Sequence, residues 1–179
     1  MQPPWIVVRR HPYEEPHLTQ IEIFVSDGRF LGSVDFYCNV SELKEIGAAL
    51  QGFPTRVPQE YVYEYGSPKP EDRIYRHLVL RAYTVDAAGH CAFQIRIDRN
   101  DPEPDEGMCQ FSFLVAPAQL NRLGRLFSKF HDLEHLEFYW DRSTHDLHEE
   151  HQPLGARGLT SACFCNCSVD HSSRSSPPF

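Results

Sequence analysis

The residues best suited to chemistry in this chain are histidines. His131-Asp-Leu-Glu-His135 has the form His-x-x-Glu-His. On a helix, residues four apart project from one side, so two imidazoles would hold a zinc ion while Glu134 activated its water. The competing reading is a run of histidines at a helix C-terminus, where positive charge is favoured without any metal. His145, His148, Glu149 and His151 form a second cluster of types that divalent metals accept, but their spacing fits no motif with a definable mechanism. Cys163-Phe-Cys-Asn-Cys167 lacks the two-residue spacing of a zinc knuckle. There is no Gly-x-Ser-x-Gly, no phosphate-binding glycine loop and no dinucleotide fingerprint. An enzyme reading, as a metal-dependent hydrolase, therefore rests on His131, Glu134 and His135 alone. It stands as the alternative, with no catalytic residue and no cofactor assigned.

Acidic residues offer a different function. Asn100-Asp-Pro-Glu-Pro-Asp-Glu-Gly107 places Asp101, Glu103, Asp105 and Glu106 on one loop, which is either simply solvated or a patch that steers a basic protein partner. The whole chain of 179 residues carries 25 acidic against 17 basic side chains, a formal charge of −8. That balance argues against a nucleic-acid backbone or an anionic membrane as the main partner, since both need clustered positive charge. Tyr61, Tyr63 and Tyr65, with Tyr139 and Trp140, read either as core or as an exposed recognition surface, and packing is the commoner fate of aromatic strands.

The elements that must position these residues are encoded twice. Phe36, Leu43, Gly47 and Phe53 return as Phe113, Leu120, Gly124 and Phe130, each 77 positions on. The repeated letters fall on positions that a strand running into an amphipathic helix needs apolar. The spacing predicts helices over 40–51 and 117–130. Asn39 and Glu42 supply an N-cap and an acid at the third helical position; Ala116, Pro117 and Gln119 replace them in the second copy. Gly47 and Gly124 lie on the apolar stripe, where each costs about 1 kcal/mol relative to alanine, so the helix backbone is expected to approach a sheet or a partner helix closely there.

Before the first helix, Trp5–Arg9 reads as an edge strand, and 18–26 with 30–38 as a hairpin turning at Asp27-Gly28. After it, Glu60–Tyr65 is a strand and residues 66–72 a connector. Two long runs over 74–85 and 91–98, then strands at 108–115 and 136–140, complete the second copy. The predicted fold is α+β: an internally duplicated β-β-β-α-β unit, mainly antiparallel, with two helices. Residues 1–66 and 67–142 form the two units of one domain. Residues 143–179 are a His-rich, then Ser/Cys/Pro-rich tail, expected to be disordered from about Gln152.

No apolar run approaches the ~20 residues that span a bilayer, the start lacks the pattern of a secretion signal, and Cys38, Cys91 and Cys109 are scattered rather than framework-like. A cytoplasmic location is the expectation. In the order of its elements over about residues 18–140, with Phe36–Phe53 and Phe111–Phe130 each a strand running into a helix, the chain resembles small bacterial proteins of the WapI-type immunity family and related uncharacterised bacterial proteins. The resemblance implies a cytoplasmic protein without catalytic residues that binds and neutralises another protein, typically a toxin domain; the acidic charge adds the expectation that this partner is basic. The leading expectation is thus a non-enzymatic protein-binding module. A homo-oligomer pairing through edge strands is a further alternative.

Overall fold

The computed structural model describes residues 2–148 except 13, 70 and 73–75. The expected disordered tail, Glu149, His151 and Cys163 to Cys167 lie outside the described residues. The order is β1 (Trp5–His11), β2 (Leu18–Ser26), β3 (Leu31–Asn39), α1 (Val40–Leu50), β4 (Glu60–Tyr65), β5 (His77–Thr84), β6 (Cys91–Asp98), β7 (Met108–Val115), α2 (Pro117–Phe130), β8 (Glu137–Asp141) and β9 (His145–His148). The α+β class and the duplicated β-β-β-α-β unit are both present.

Local sequence explains most of these elements. Along β3, buried and exposed residues alternate without a break, with Gly32, Val34, Phe36 and Cys38 inward, the period-2 pattern of a strand with one wet face. At the start of α1, the backbone N–H of Asn39 donates to Glu42 Oε1 at 3.0 Å. At the start of α2, the N–H of Ala116 donates to Gln119 Oε1 at 2.7 Å. Both helices thus begin with a third-position side chain satisfying the cap N–H. The turn after β2 spans Asp27 to Phe30, with Gly28 at φ +90° and Asp27 Oδ1 accepting the N–H groups of Arg29 and Phe30 at 2.8 Å each. Phe30, expected in the strand, sits in this turn and is 63% exposed.

The strands form two antiparallel sheets, ordered β3-β2-β1-β8-β9 and β4-β5-β6-β7. Each unit contributes its first three strands to one sheet and its fourth, the strand after the helix, to the other: β8 pairs with β1 (Val8 opposite Phe138) and β4 with β5 (Tyr63 opposite Leu80). β1 is therefore interior, flanked by β2 and β8, and not the edge strand expected. The proline-rich turn after it marks only where the strand ends. Its successive residues Ile6, Val7 and Val8 are all buried, so apolar side chains are needed on both faces. The exchange is fixed by polar contacts too: Arg9 Nη2 meets Glu137 Oε2 at 2.9 Å in a buried pair, and Arg10 donates to the carbonyls of Leu133 at 2.7 Å and His135 at 3.0 Å. β9 extends the first sheet past residue 142, the expected start of the tail; four residues are too few to show a period.

The two units meet through equivalent residues of the repeat. The helices cross at the repeated glycines: a Cβ on Gly47 would lie 2.8 Å from the Gly124 carbonyl oxygen, and one on Gly124 would lie 2.7 Å from that of Gly47. The close approach expected at these positions is to the partner helix. Gln51 and Ser128, another repeat pair, hydrogen-bond each other at 2.7 Å. Nearer the strand starts, a Cβ on Gly32 would lie 2.5 Å from Cys109 Sγ, its own repeat counterpart. A single core of both sheets and both helices fills the space between.

Candidate protein-binding surface

The acidic loop joins β6 to β7 and is closed at its base by Arg99 N–H donating to the Gly107 carbonyl at 2.9 Å. Its first acid differs from the rest. Asp101 accepts from Arg76 Nη1 at 2.7 Å and from Arg99 Nε at 2.9 Å, and the hydrogen bond from Arg76, with help from Arg99, holds its carboxyl below the usual carboxylate range. Arg76 also lies 3.6 Å from Asp35 on β3, and Asn100 Nδ2 donates to the Ser67 carbonyl at 2.9 Å. Asp101 thus fastens the loop to the body. Glu103, Asp105 and Glu106 remain exposed, next to Met108, which opens β7 and is 68% exposed. Of the four acids singled out in the sequence, three form an outward rim and one holds it in place.

The histidine motif takes a different form from a zinc helix. α2 ends at Phe130, and residues 131–135 are turn and loop, so the four-residue spacing no longer places both rings on one face. His131 caps the helix and its Nδ1 lies 3.0 Å from the Val40 carbonyl oxygen. His135 is bound through its backbone carbonyl by Arg10, and Glu134 is exposed. Among the described residues, no group of three or more His, Cys, Asp or Glu converges to hold a metal ion. His145 and His148 lie on β9; the other members of that cluster are outside the described residues.

The aromatic strands are mainly core. Trp140 is fully buried and its Nε1 donates to the Gln119 carbonyl at 3.1 Å. At the equivalent position, the Tyr63 hydroxyl donates to Glu42 Oε2 at 2.9 Å. Burial, and then Glu45, push the Tyr61 phenol up to about 12; burial, and then Glu42, do the same to the Cys38 thiol. Burial also raises the thiols of Cys91 and Cys109. All three cysteines are free, and a raised thiol is not an activated nucleophile. Sequence reasoning placed Glu42 at the helix start only, and did not single out Glu45 or foresee that α1 sets both acids beside β4. The signal was available in the repeat: their second-copy counterparts are Gln119 and Arg122, so the charge at this position changes between the copies.

No helix among the described residues is long and apolar enough to cross a membrane. No family model matches the chain, and no curated protein matches it. Among solved structures, the chain is similar to WHY1 from Arabidopsis thaliana, at 12% identity and a TM-score of 0.41 over 73% of this chain and 84% of that one. It is similar to the plant transcriptional regulator PBF-2 at 13% identity and a TM-score of 0.41, over 73% of this chain and 76% of that one. Likeness this loose says nothing about what this chain binds.

Proposed function

We propose that this protein is a non-enzymatic binding module that presents its acidic loop to a basic protein partner. The observation that carries the reading is the fastening of the loop: the Arg76–Asp101–Arg99 contacts hold Glu103, Asp105 and Glu106 outward on a fixed base. A preordered loop loses less conformational entropy on binding than a free one. The resemblance to WapI-type immunity proteins supports a toxin domain as the partner, the formal charge of −8 supports a basic one, and the two together make the role one of neutralising it in the cytoplasm.

The test is capture at low salt by immobilised wild-type chain and by E103Q/D105N/E106Q. Wild type is expected to retain a basic protein at one-to-one stoichiometry. The triple variant should bind about tenfold more weakly, since three exposed charges at about 0.5 kcal/mol each sum to that factor. Equal retention by both proteins, or retention insensitive to added salt, would sink the assignment to this loop.

A further inference from the structure

The repeat also marks a difference between its copies at the edge of the second sheet opposite β7. β8 and β4 are counterparts, yet their outer edges differ. The outer edge of β8 is covered by β9, with Glu137 opposite His148, Phe138 opposite Leu147 and Tyr139 opposite Asp146. The outer edge of β4 has no strand paired to it among the described residues.

The ladder shows what that bare edge offers. Thr84 N–H donates to the Gln59 carbonyl at 3.0 Å, so by the alternation of antiparallel pairing Tyr61, Tyr63 and Tyr65 direct their backbone groups to β5. The N–H and C=O groups of Glu60, Val62 and Glu64 point outward. In the second copy the same parity holds: Asp141 N–H bonds the Thr144 carbonyl at 3.0 Å, and Glu137, Tyr139 and Asp141 face β9. The side chains agree. Phe138 and Trp140 are fully buried where β9 and its Leu147 pack beside them, whereas Tyr61 and Tyr63 are half-buried and Val62 is 44% exposed.

The space for a strand is also set by the repeat. Tyr65 and Arg142 are counterparts and each reaches the neighbouring edge strand of the other sheet: the Tyr65 ring lies 4.5 Å from that of Phe36 on β3, and Arg142 Nη2 donates to the Leu114 carbonyl on β7 at 2.8 Å. β4 thus sits on its neighbours as β8 does. Just after β4, the Ser67 carbonyl accepts a hydrogen bond from Asn100 Nδ2 in the loop that follows β6, so the chain at Ser67 lies on the side of β5 and β6.

Charge then selects the occupant. Where the second copy has Gln119 and Arg122, the first has Glu42 and Glu45, and Glu60 and Glu64 lie along the strand. Arg81 answers Glu60 at 2.6 Å and His77 meets Glu64 at 2.8 Å, leaving the edge net negative. We infer that the outer edge of β4 takes an extended, basic segment of a protein partner as an added strand, one apolar side chain lying over Tyr61 as Leu147 lies beside Phe138. This site is separate from the acidic loop, and the two are tested by different variants.

The probe is a ten-residue peptide alternating lysine and leucine, titrated into the full chain while backbone amide resonances are followed. Saturable shifts are expected at Glu60, Val62 and Glu64. V62P removes one outward N–H at an edge position where proline is tolerated, and binding should weaken about tenfold, the loss of about one ladder contact. Backbone N-methylation of the peptide tests the same ladder without altering the protein and should abolish the shifts; a glutamate-leucine peptide should produce none. E103Q/D105N/E106Q should bind the peptide as wild type does. Shifts mapping elsewhere, or unchanged binding by the N-methylated peptide, would overturn the proposal. So would shifts at the same amides that grow with protein concentration in the absence of peptide, because the occupant would then be a second copy.

Discussion

A glycine inside a helix is normally a weakness of about 1 kcal/mol, and Gly47 shows what offsets it. A methyl group at this position would sit 2.3 Å from Ser128 Oγ and 2.7 Å from the Ser128 backbone nitrogen. The hydroxyl can rotate away, but the backbone cannot without separating the helices. Overpacking of this kind costs about 1–3 kcal/mol, which outweighs the propensity that alanine would gain. G47A and G124A are each expected to lower the thermal midpoint, and G47L to lower it further. A midpoint at or above wild type for G47A would mean that the helices do not meet there in solution. This residue-level feature was legible in advance, because a glycine on an apolar stripe has few explanations other than close approach. Tyr63 is a milder case: Y63F loses a hydrogen bond to the Glu42 carboxylate, and at this half-buried position a loss of about 1 kcal/mol in denaturant unfolding is expected.

At the level of elements, side chains reach across turns to set where strands and helices begin. Asp141 is the clearest example. Its carboxylate accepts the Ser143 N–H at 2.6 Å, the Thr144 N–H at 2.5 Å and the Tyr139 hydroxyl at 3.0 Å, which turns the chain from β8 into β9. Burial alone would raise this carboxyl, but the donors from Thr144, Ser143 and Tyr139 outweigh it and hold it below its ordinary value. A carboxyl depressed in the folded state stabilises the fold above its unfolded value, about 3.9. That contribution is lost as pH falls through the lower folded value. D141N should therefore cost about 1–3 kcal/mol at neutral pH, and its unfolding free energy should decline less steeply than that of wild type on acidification. Parallel declines would show that the turn does not depend on the charge. The acidic loop carries the same lesson about legibility: its composition is uniform in sequence, and only the approach of Arg76, 25 residues upstream of Asp101, separates the acid that fastens from those that face outward.

For the whole molecule, a constant offset identifies equivalent segments but not which segments pair. The duplication, both helices and most strands follow from periodicity, which is local. The exchange of β4 and β8 does not, because the fourth strand of a unit leaves the sequence pattern equally satisfied whichever sheet it completes. The interior position of β1 was missed for the same reason, since its second neighbour, β8, begins at Glu137, far along the chain. The exchange has a mechanical consequence. With β8 paired to β1, Arg9 in a buried ion pair with Glu137, and the helices locked at Gly47 and Gly124, the halves are held by far more than the connector between β4 and β5. A protease site inserted between Pro68 and Lys69 should therefore be cleavable without releasing the halves, which would elute together at the size of the intact chain. Cleavage should lower stability, because the connector raises the effective concentration of one half about the other, and the midpoint of unfolding should become dependent on protein concentration. Separation of the fragments in native buffer would show that each unit keeps its own fourth strand in solution.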